Sequence, residues 1–516
     1  MNIGQVIGST TLKTFRFVIK EGKEQYVKKD EFVSVKESVT GKNVLGVIKE
    51  IVISNELLPD EFGRDLRMGD IILKEGEYPV PTVKILGYET PDGLEPPRHG
   101  IKPGTPVELA SDEQLNRILA QERDKSAHIG NLATRESVPI NLNINELVSR
   151  HCSILAMTGA GKSYTVGVLV EELMKKRGSV VLFDLHGEFK GMEFKDSEVR
   201  VYDIERNKIK VEVSSLSTAD YNNLMPDLTS SQRDLLDEIL SMSYRFYEKY
   251  DLQVILNILD ILYDLKKEGA KKKGKEEKEK KADTSIFPEN ILRTIAKKAS
   301  LSTIGALTRR IKRLERMDVF TTHGTPLKEL VRRNQLTVVN LSEADEGISE
   351  IIVAAICRSI FDSRKKHAKG DEDGISTPTF IVVEEAHTFA PRAYSDIISP
   401  SRSILRKIAR EGRKFGVGLC IISQRPNKLD ADVLSQCNTQ LIMKIVNPSD
   451  QEYIRQSIES ITEDIVKDLP GLSRGEAVVA GSAIKMPVLV KIRPRETAIG
   501  GSDLDIVGMW NKKEDE

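Results

Sequence analysis

A chain of 516 residues, 39% of them hydrophobic, can bury a large core and has room for about two to four domains. Its 77 Lys and Arg residues against 78 Asp and Glu leave a formal charge of −1, which excludes a molecule that draws nucleic acid by overall charge; such a site must come from local clustering. Cys152, Cys357, Cys420 and Cys437 form no CxxC pair and have no histidine cluster beside them, so they read as buried thiols in a reducing cytoplasm. The N-terminus lacks the apolar core of a signal peptide, and no apolar run is long enough to span a bilayer, so no membrane association is expected.

Residues 1–110 have a β texture: TFRFVI, FVSV, VLGVIKEIVI and TVKILGY are separated by Gly, Pro, Asp and Asn clusters, which predicts a small barrel or sandwich. Residues 111–148 read as a connector with a short helix from Asp112 to Arg123. From residue 149 apolar strands alternate with helical patterns, the signature of parallel strands with crossover helices. That texture covers 149–213 and resumes at 334–485. Between them, 214–333 is helical by periodicity and reads as an inserted bundle, with Thr229, Ser230 and Ser231 as candidate N-caps. Inside the bundle, 268–283 is a charged low-complexity loop whose interleaved glutamates argue against a nucleic-acid arm. Residues 486–516 supply a last strand, in a hairpin with GEAVVAG, and a tail in which Trp510 is a candidate anchor. The fold class is therefore α/β with an N-terminal β-domain and a helical insertion.

The stretch AMTGAGKS, Ala156 to Ser163, follows a strand and opens a helix, the context of a phosphate-binding P-loop. Thr158, Gly159, Ala160, Gly161, Lys162, Ser163 and Tyr164 would surround the nucleotide through backbone N–H groups, with Lys162 on the β- and γ-phosphates and the Ser163 hydroxyl on Mg2+. Ala156 stands where such loops usually carry their first glycine. Arg150, just before the P-loop strand, is a further candidate for nucleotide contact. Asp184 ends the strand SVVLFD, where it can reach the metal or cap the turn that follows. TFIVVEEAH places Glu384 and Glu385 at the carboxyl end of another strand, where open parallel sheets bind ligands. Glu384 is assigned to the Mg2+ shell, although Asp is usual there, and Glu385 to polarising the attacking water. Gln424, at the tip of GLCIISQ, is positioned to sense the γ-phosphate. Between these strands the helix SRSILRKIAREGRKF carries Arg402, Arg406, Arg410 and Arg413. In a ring such a helix can face the next subunit's nucleotide, so Arg410 is the chosen trans arginine, with Arg413 and Arg392 as rivals.

RHCSILAMTGAGKS, LFDLHGEF, FIVVEEAH, AREGRKFGVGLCIISQRP and LPGLSRGEAVVAG, in this order, resemble the HerA proteins of the HerA/FtsK group of ring ATPases. The resemblance covers nearly the whole chain and implies a RecA-like P-loop ATPase core behind a β-barrel shared with rotary ATP synthase subunits. It further implies an archaeal or bacterial homo-hexamer that hydrolyses ATP with Mg2+ and translocates or unwinds double-stranded DNA. A NurA-type nuclease would be its partner in end resection for homologous recombination and DNA repair. LSRGE, Leu472 to Glu476, resembles an ABC-type signature but follows the acidic strand instead of preceding it, and is assigned to a β-turn. The competing readings are a ring ATPase that unfolds protein, a motor of conjugation or secretion type, and a non-catalytic nucleotide switch. The first lacks an aromatic-glycine pore element, the second a membrane anchor, and the third has no use for Glu385 or a trans arginine.

Overall fold

CSIL, SVVLFD, QLTVVN, TFIVV and VGLCIIS are strands in which every residue is buried. Runs without polar alternation are what a parallel sheet covered on both faces demands. The computed structural model describes residues 1–55, 77–90, 93–271, 287–392 and 399–498. Most of the charged loop read at 268–283, and the tail bearing Trp510, lie outside the described residues. The chain divides into two units, Met1–Glu146 with Thr439–Lys444 and Asp468–Pro494, and Leu147–Asn438 with Ile445–Lys467 and Arg495–Glu516.

In the second unit six strands lie in the order Glu198–Tyr202, Gln335–Asn340, Ser179–Asp184, Thr379–Val383, Val417–Ser423, Cys152–Leu155. All five neighbouring pairs are parallel, and their registers pair Asp184 with Asn340, Phe183 with Val383, and Leu155 with Ser423. The carboxyl ends of four strands are thereby level, and the P-loop, Asp184, Glu384–Glu385 and Gln424 all leave the sheet along one rim. The crossover helix Lys162–Lys175 buries Val166, Leu169, Val170 and Leu173. The helix Pro400–Phe415 is bounded by strong local signals. Ser399 caps it by accepting from the Arg402 N–H, proline stands in its first turn, and Gly416 closes it in the left-handed region at φ 68°.

The insertion is helical, with helices Thr218–Leu224, Ser230–Phe246, Leu252–Lys271, Glu289–Lys298 and Leu301–Glu315. Of the three candidate caps, Thr229 is the N-cap, in a reciprocal capping box with Gln232. Leu235, Leu236, Ile239, Ile255, Leu259, Leu262, Ile304, Leu307 and Ile311 recur at helical spacing and are buried.

In the first unit, strands Thr14–Ile19, Asn2–Ile7, Pro106–Leu109, Phe32–Lys36, Asn43–Asn55 and Glu77–Thr90 neighbour one another in that order. Pairing of Thr14–Arg16 with Thr82–Lys84 closes the six into a barrel. Its centre is filled by Ile3, Val6, Phe15, Phe17, Val33, Val35, Val44, Ile48, Val83 and Val107. The predicted connector contains more than a helix. After Asp112–Leu119 it forms the antiparallel hairpin Ser126–Leu132 with Arg135–Asn143. That hairpin pairs with Val488–Ile492, which pairs in turn with Glu476–Gly481 and through it with Thr439–Ile442. These hydrogen bonds draw Thr439–Ile442 and Glu476–Gly481 into the first unit, although the sequence groups them with the core strands. LSRGE is a turn: the Glu476 N–H donates to the Ser473 carbonyl at 3.1 Å, and Gly475 has φ 80°.

A short C-terminal stretch clasps the P-loop helix. The Arg495 N–H donates to the Tyr164 hydroxyl at 2.6 Å, and Glu171 Oε1 accepts from the N–H groups of Glu496 and Thr497 at 2.9 and 2.8 Å. The Arg495 guanidinium lies 3.8 Å from Glu171, with both side chains 1% exposed. Arg495 passes over Gly167, where an added Cβ would stand 2.5 Å from its Nε.

Candidate nucleotide-hydrolysis site

The P-loop rests on two left-handed glycines, Gly159 at φ 80° and Gly161 at φ 106°, conformations a side chain resists. Ala156, by contrast, is fully buried at the end of its strand, donates its N–H to the Ser423 carbonyl at 3.2 Å, and is not among the residues with positive φ. A methyl group costs no backbone strain there, so this departure from the usual glycine leaves the loop intact. Gly161 caps the helix that Lys162 and Ser163 begin, leaving the first N–H groups of a 14-residue helix aimed at the rim.

Lys162 Nζ is ion-paired and hydrogen-bonded to Glu385 Oε1, with side-chain exposures of 12% and 3%. Glu385 takes a left-handed conformation, φ 45° and ψ 47°, which costs a non-glycine residue about 1–3 kcal/mol. The bend starts the short helix Ala386–Phe389 and turns the carboxylate back over the P-loop. Its Oε2 lies 3.2 Å from His387 Nδ1, which is itself 3.2 Å from Ser423 Oγ. The Gln424 N–H donates to the same Oε2 at 3.5 Å, and the Thr158 hydroxyl donates to the Gln424 side-chain oxygen. Burial would raise the pKa of Glu385, but the His387 hydrogen bond and the Lys162 charge hold it down to about 2. It is therefore a carboxylate at every physiological pH. Three strand tips thus join Thr158, Lys162, Glu385 and Gln424 into one contiguous set.

Glu384 and Asp184 form a second, deeper layer. Asp184 is fully buried and used as a cap: Oδ1 accepts from the N–H groups of Gly187 and Glu188 at 2.8 and 3.0 Å, and Oδ2 from that of Phe189 at 2.9 Å. These bonds cap the turn that follows, one of its two sequence-based roles. Burial pushes its carboxyl up, opposed by those N–H groups. Glu384 Oε2 accepts from the N–H groups of Leu185 and His186 at 3.0 and 3.3 Å, while Oε1 is buried with no hydrogen-bond partner. Burial, then the neighbouring Asp184 charge, pushes Glu384 up to about 8. A divalent cation would displace the proton that this shift retains, and Oε1 gives it an oxygen to face. Among the described residues no group of three or more His, Cys, Asp or Glu side chains forms a metal cage. That donor set suits Mg2+, which is completed by phosphate oxygens and water, and does not suit a structural zinc.

Other sequence candidates fall elsewhere. Arg150 precedes the strand Cys152–Leu155, at the end opposite the P-loop, and its carbonyl accepts from the Asn438 N–H at 3.0 Å. The Tyr164 side chain turns to the Arg495 clasp, leaving its backbone as its contribution to the loop. Arg410 is 57% exposed and bonds Asp432 at 2.6 Å, Arg392 lies over the Tyr453 ring at 5.1 Å, and Arg413 is exposed. His151 is structural: it accepts from the Leu419 N–H at 3.0 Å, and burial lowers its pKa to about 4. The residue that sequence reasoning missed is His387, whose signal was the last letter of EEAH. His387→Ala is expected to lower kcat by about tenfold. It should also raise the pKa of Glu385 in the nucleotide-free enzyme from about 2 toward 4.5, so the acid limb of the kcat/KM–pH profile moves to higher pH. An unmoved acid limb would rule His387 out as its partner.

Residues 127–360 match the family described as "Helicase HerA, central domain". The chain is 31% identical to the DNA double-strand break repair helicase HerA of Pyrococcus furiosus, over 99% of this chain and 97% of that one. Against the protein of the same name from Saccharolobus solfataricus it is 33% identical, over 80% of this chain and 77% of that one. Among solved structures, VirB4 of Thermoanaerobacter pseudethanolicus superposes with a TM-score of 0.50 at 15% identity, covering 73% of this chain and 98% of that chain, a likeness of fold. With its P-loop core, its closed N-terminal barrel and 31% identity to the Pyrococcus furiosus protein over 99% of its length, the chain belongs to the HerA family.

Proposed function

We propose that this protein is an ATP-hydrolysing DNA translocase and helicase of recombinational repair. In this reading six copies form a ring around double-stranded DNA and act with a NurA-type nuclease in end resection. The observation that carries the hydrolytic half is the joined set Thr158, Lys162, Glu385 and Gln424 on one rim of the sheet. The curated relatives, named as double-strand break repair helicases, support the polymer half.

In the resting site Lys162 neutralises Glu385. Phosphates entering the P-loop compete for Lys162, and Glu385 is released toward water with its charge intact. His387 and the Gln424 N–H then hold the carboxylate in place to take a proton from the attacking water. Gln424, tied to Thr158 of the P-loop, reads whether the γ-phosphate is present. Ser163 and Glu384 are the residues that would hold Mg2+, whose contribution is to neutralise the phosphate oxygens. Arg410, exposed on its helix, is offered to the phosphoryl group bound by the adjacent copy. Loss of the γ-phosphate then loosens the seam between copies, and the ring moves along the duplex through phosphate contacts with little sequence preference.

The test pairs native mass with ATP turnover. A hexamer whose hydrolysis rises with duplex, and whose duplex affinity falls steeply with salt, is expected. A monomer that hydrolyses ATP at full rate, indifferent to duplex, would refute the proposal. Among the described residues no helix is long and apolar enough to cross a membrane.

A further inference from the structure

The loop after Gln424 is fastened from several sides. The Asn427 N–H donates to Asp450 Oδ1 at 3.0 Å, and the Tyr453 hydroxyl to the Leu429 carbonyl at 2.6 Å. The Arg392 N–H donates to the Lys428 carbonyl at 2.7 Å, and the Asp430 N–H to the Ala390 carbonyl at 2.8 Å. Ala390 to Arg392 is the segment that leaves the short helix begun by Glu385. One loop therefore connects the chain behind the water-polarising carboxylate with the chain behind the γ-phosphate sensor.

The far end of that loop grips the arginine helix. Asp430, 5% exposed, accepts from Arg402 Nε at 2.8 Å and lies 3.6 Å from Arg406 Nε. Asp432, 43% exposed, pairs with Arg406 and with Arg410 Nη2, the latter at 2.6 Å. Arg402, Arg406 and Arg410 are spaced four residues apart, so they share a helix face and would repel. Two carboxylates two residues apart offset them in a ladder that runs from a buried foot at Asp430 to a solvent-facing end at Arg410.

We infer that Asp432 is a positioning residue: it holds Arg410 in one outward direction and ties it to the loop behind Gln424, so that the nucleotide state of one copy sets the arginine presented to the next. The inference rests on the ring reading above. An ion pair this exposed adds little to stability. It does remove the freedom of a long side chain, and a displacement of about 1 Å at a reacting centre can cost about a hundredfold in rate. A role in aim therefore predicts a large effect on turnover with almost none on folding.

In Asp432→Asn, kcat should fall at least about tenfold with KM within about twofold, and the melting temperature should stay within about 2 °C. Asp432→Glu, which keeps the charge, should recover most of the rate. Co-expression with Lys162→Ala subunits supplies an intact Arg410 and Asp432 from a copy that cannot turn over by itself. Turnover in the mixture above the sum of the two separate variants is expected. The inference is overturned if Asp432→Asn alone is fully active, or if the mixture gains nothing while Arg410→Ala mixed with Lys162→Ala does recover. If neither mixture recovers, the seam shared by two copies fails as well, and the inference falls with it.

Discussion

Glu385→Gln is expected to bind ATP within a few-fold of the wild type and to lose about 10²–10⁴ in kcat, the range for removal of a positioned general base. The amide has the shape of the carboxylate and can still accept from Lys162, so the fold and the P-loop geometry are kept. What is lost is the proton-accepting charge, which in the nucleotide-free site His387 and Lys162 hold ionised down to about pH 2. Single-turnover hydrolysis with equilibrium nucleotide binding separates the two effects. A variant that turns over at more than about a tenth of the wild-type rate would move the base elsewhere. Trapped with nucleotide, the same variant should retain duplex longer than the wild type.

Lys162→Ala is expected to abolish turnover and to weaken ATP binding by about 10–100-fold, the worth of one charge-assisted hydrogen bond of about 1.5–3 kcal/mol. Retained turnover would refute its role. The resting pair adds a second readout. Glu385 is depressed below its ordinary value of 4.5, so its pairing stabilises the folded state above that pH and is lost as pH falls toward about 2. The stability gap between wild type and Lys162→Ala should therefore be open at pH 7 and close between pH 4.5 and about 2. A gap that does not change with pH would mean that the two side chains are not partners in solution.

The P-loop and the acidic pair were legible because their chemistry is encoded locally. Gly159 and Gly161 announce backbone that only glycine takes easily, and Glu384 and Glu385 end a strand whose residues are all apolar or β-branched. The capping residue Thr229, read among the candidate caps, also acts within a few residues of its own position. What escaped was set by distance or by direction. The hairpin 126–143 was hidden because register shifts near Gly130 and Leu132 break its alternation, and because Pro139 demotes a strand that lies last in its sheet. Arg150 and Tyr164 adjoin the P-loop in sequence, but Arg150 precedes the far end of the P-loop strand and the Tyr164 hydroxyl accepts from the Arg495 N–H. Asp432 carried no motif at all; it matters because a loop returns it to a helix more than twenty residues earlier.

The clasp at Arg495–Thr497 ties the two ends of the ATPase unit into a single folding event. Glu171 lies on the first crossover helix, yet its counter-ion arrives 324 residues later in the chain. Until that arginine emerges from the ribosome, the helix that presents Lys162 holds a carboxylate with a vacant notch at Gly167 beside it. Breaking such a buried pair from one side costs about 3–5 kcal/mol. Synthesis must therefore run past residue 495 before the helix that presents Lys162 reaches its full strength, so that the support of the P-loop is translated long after the loop itself.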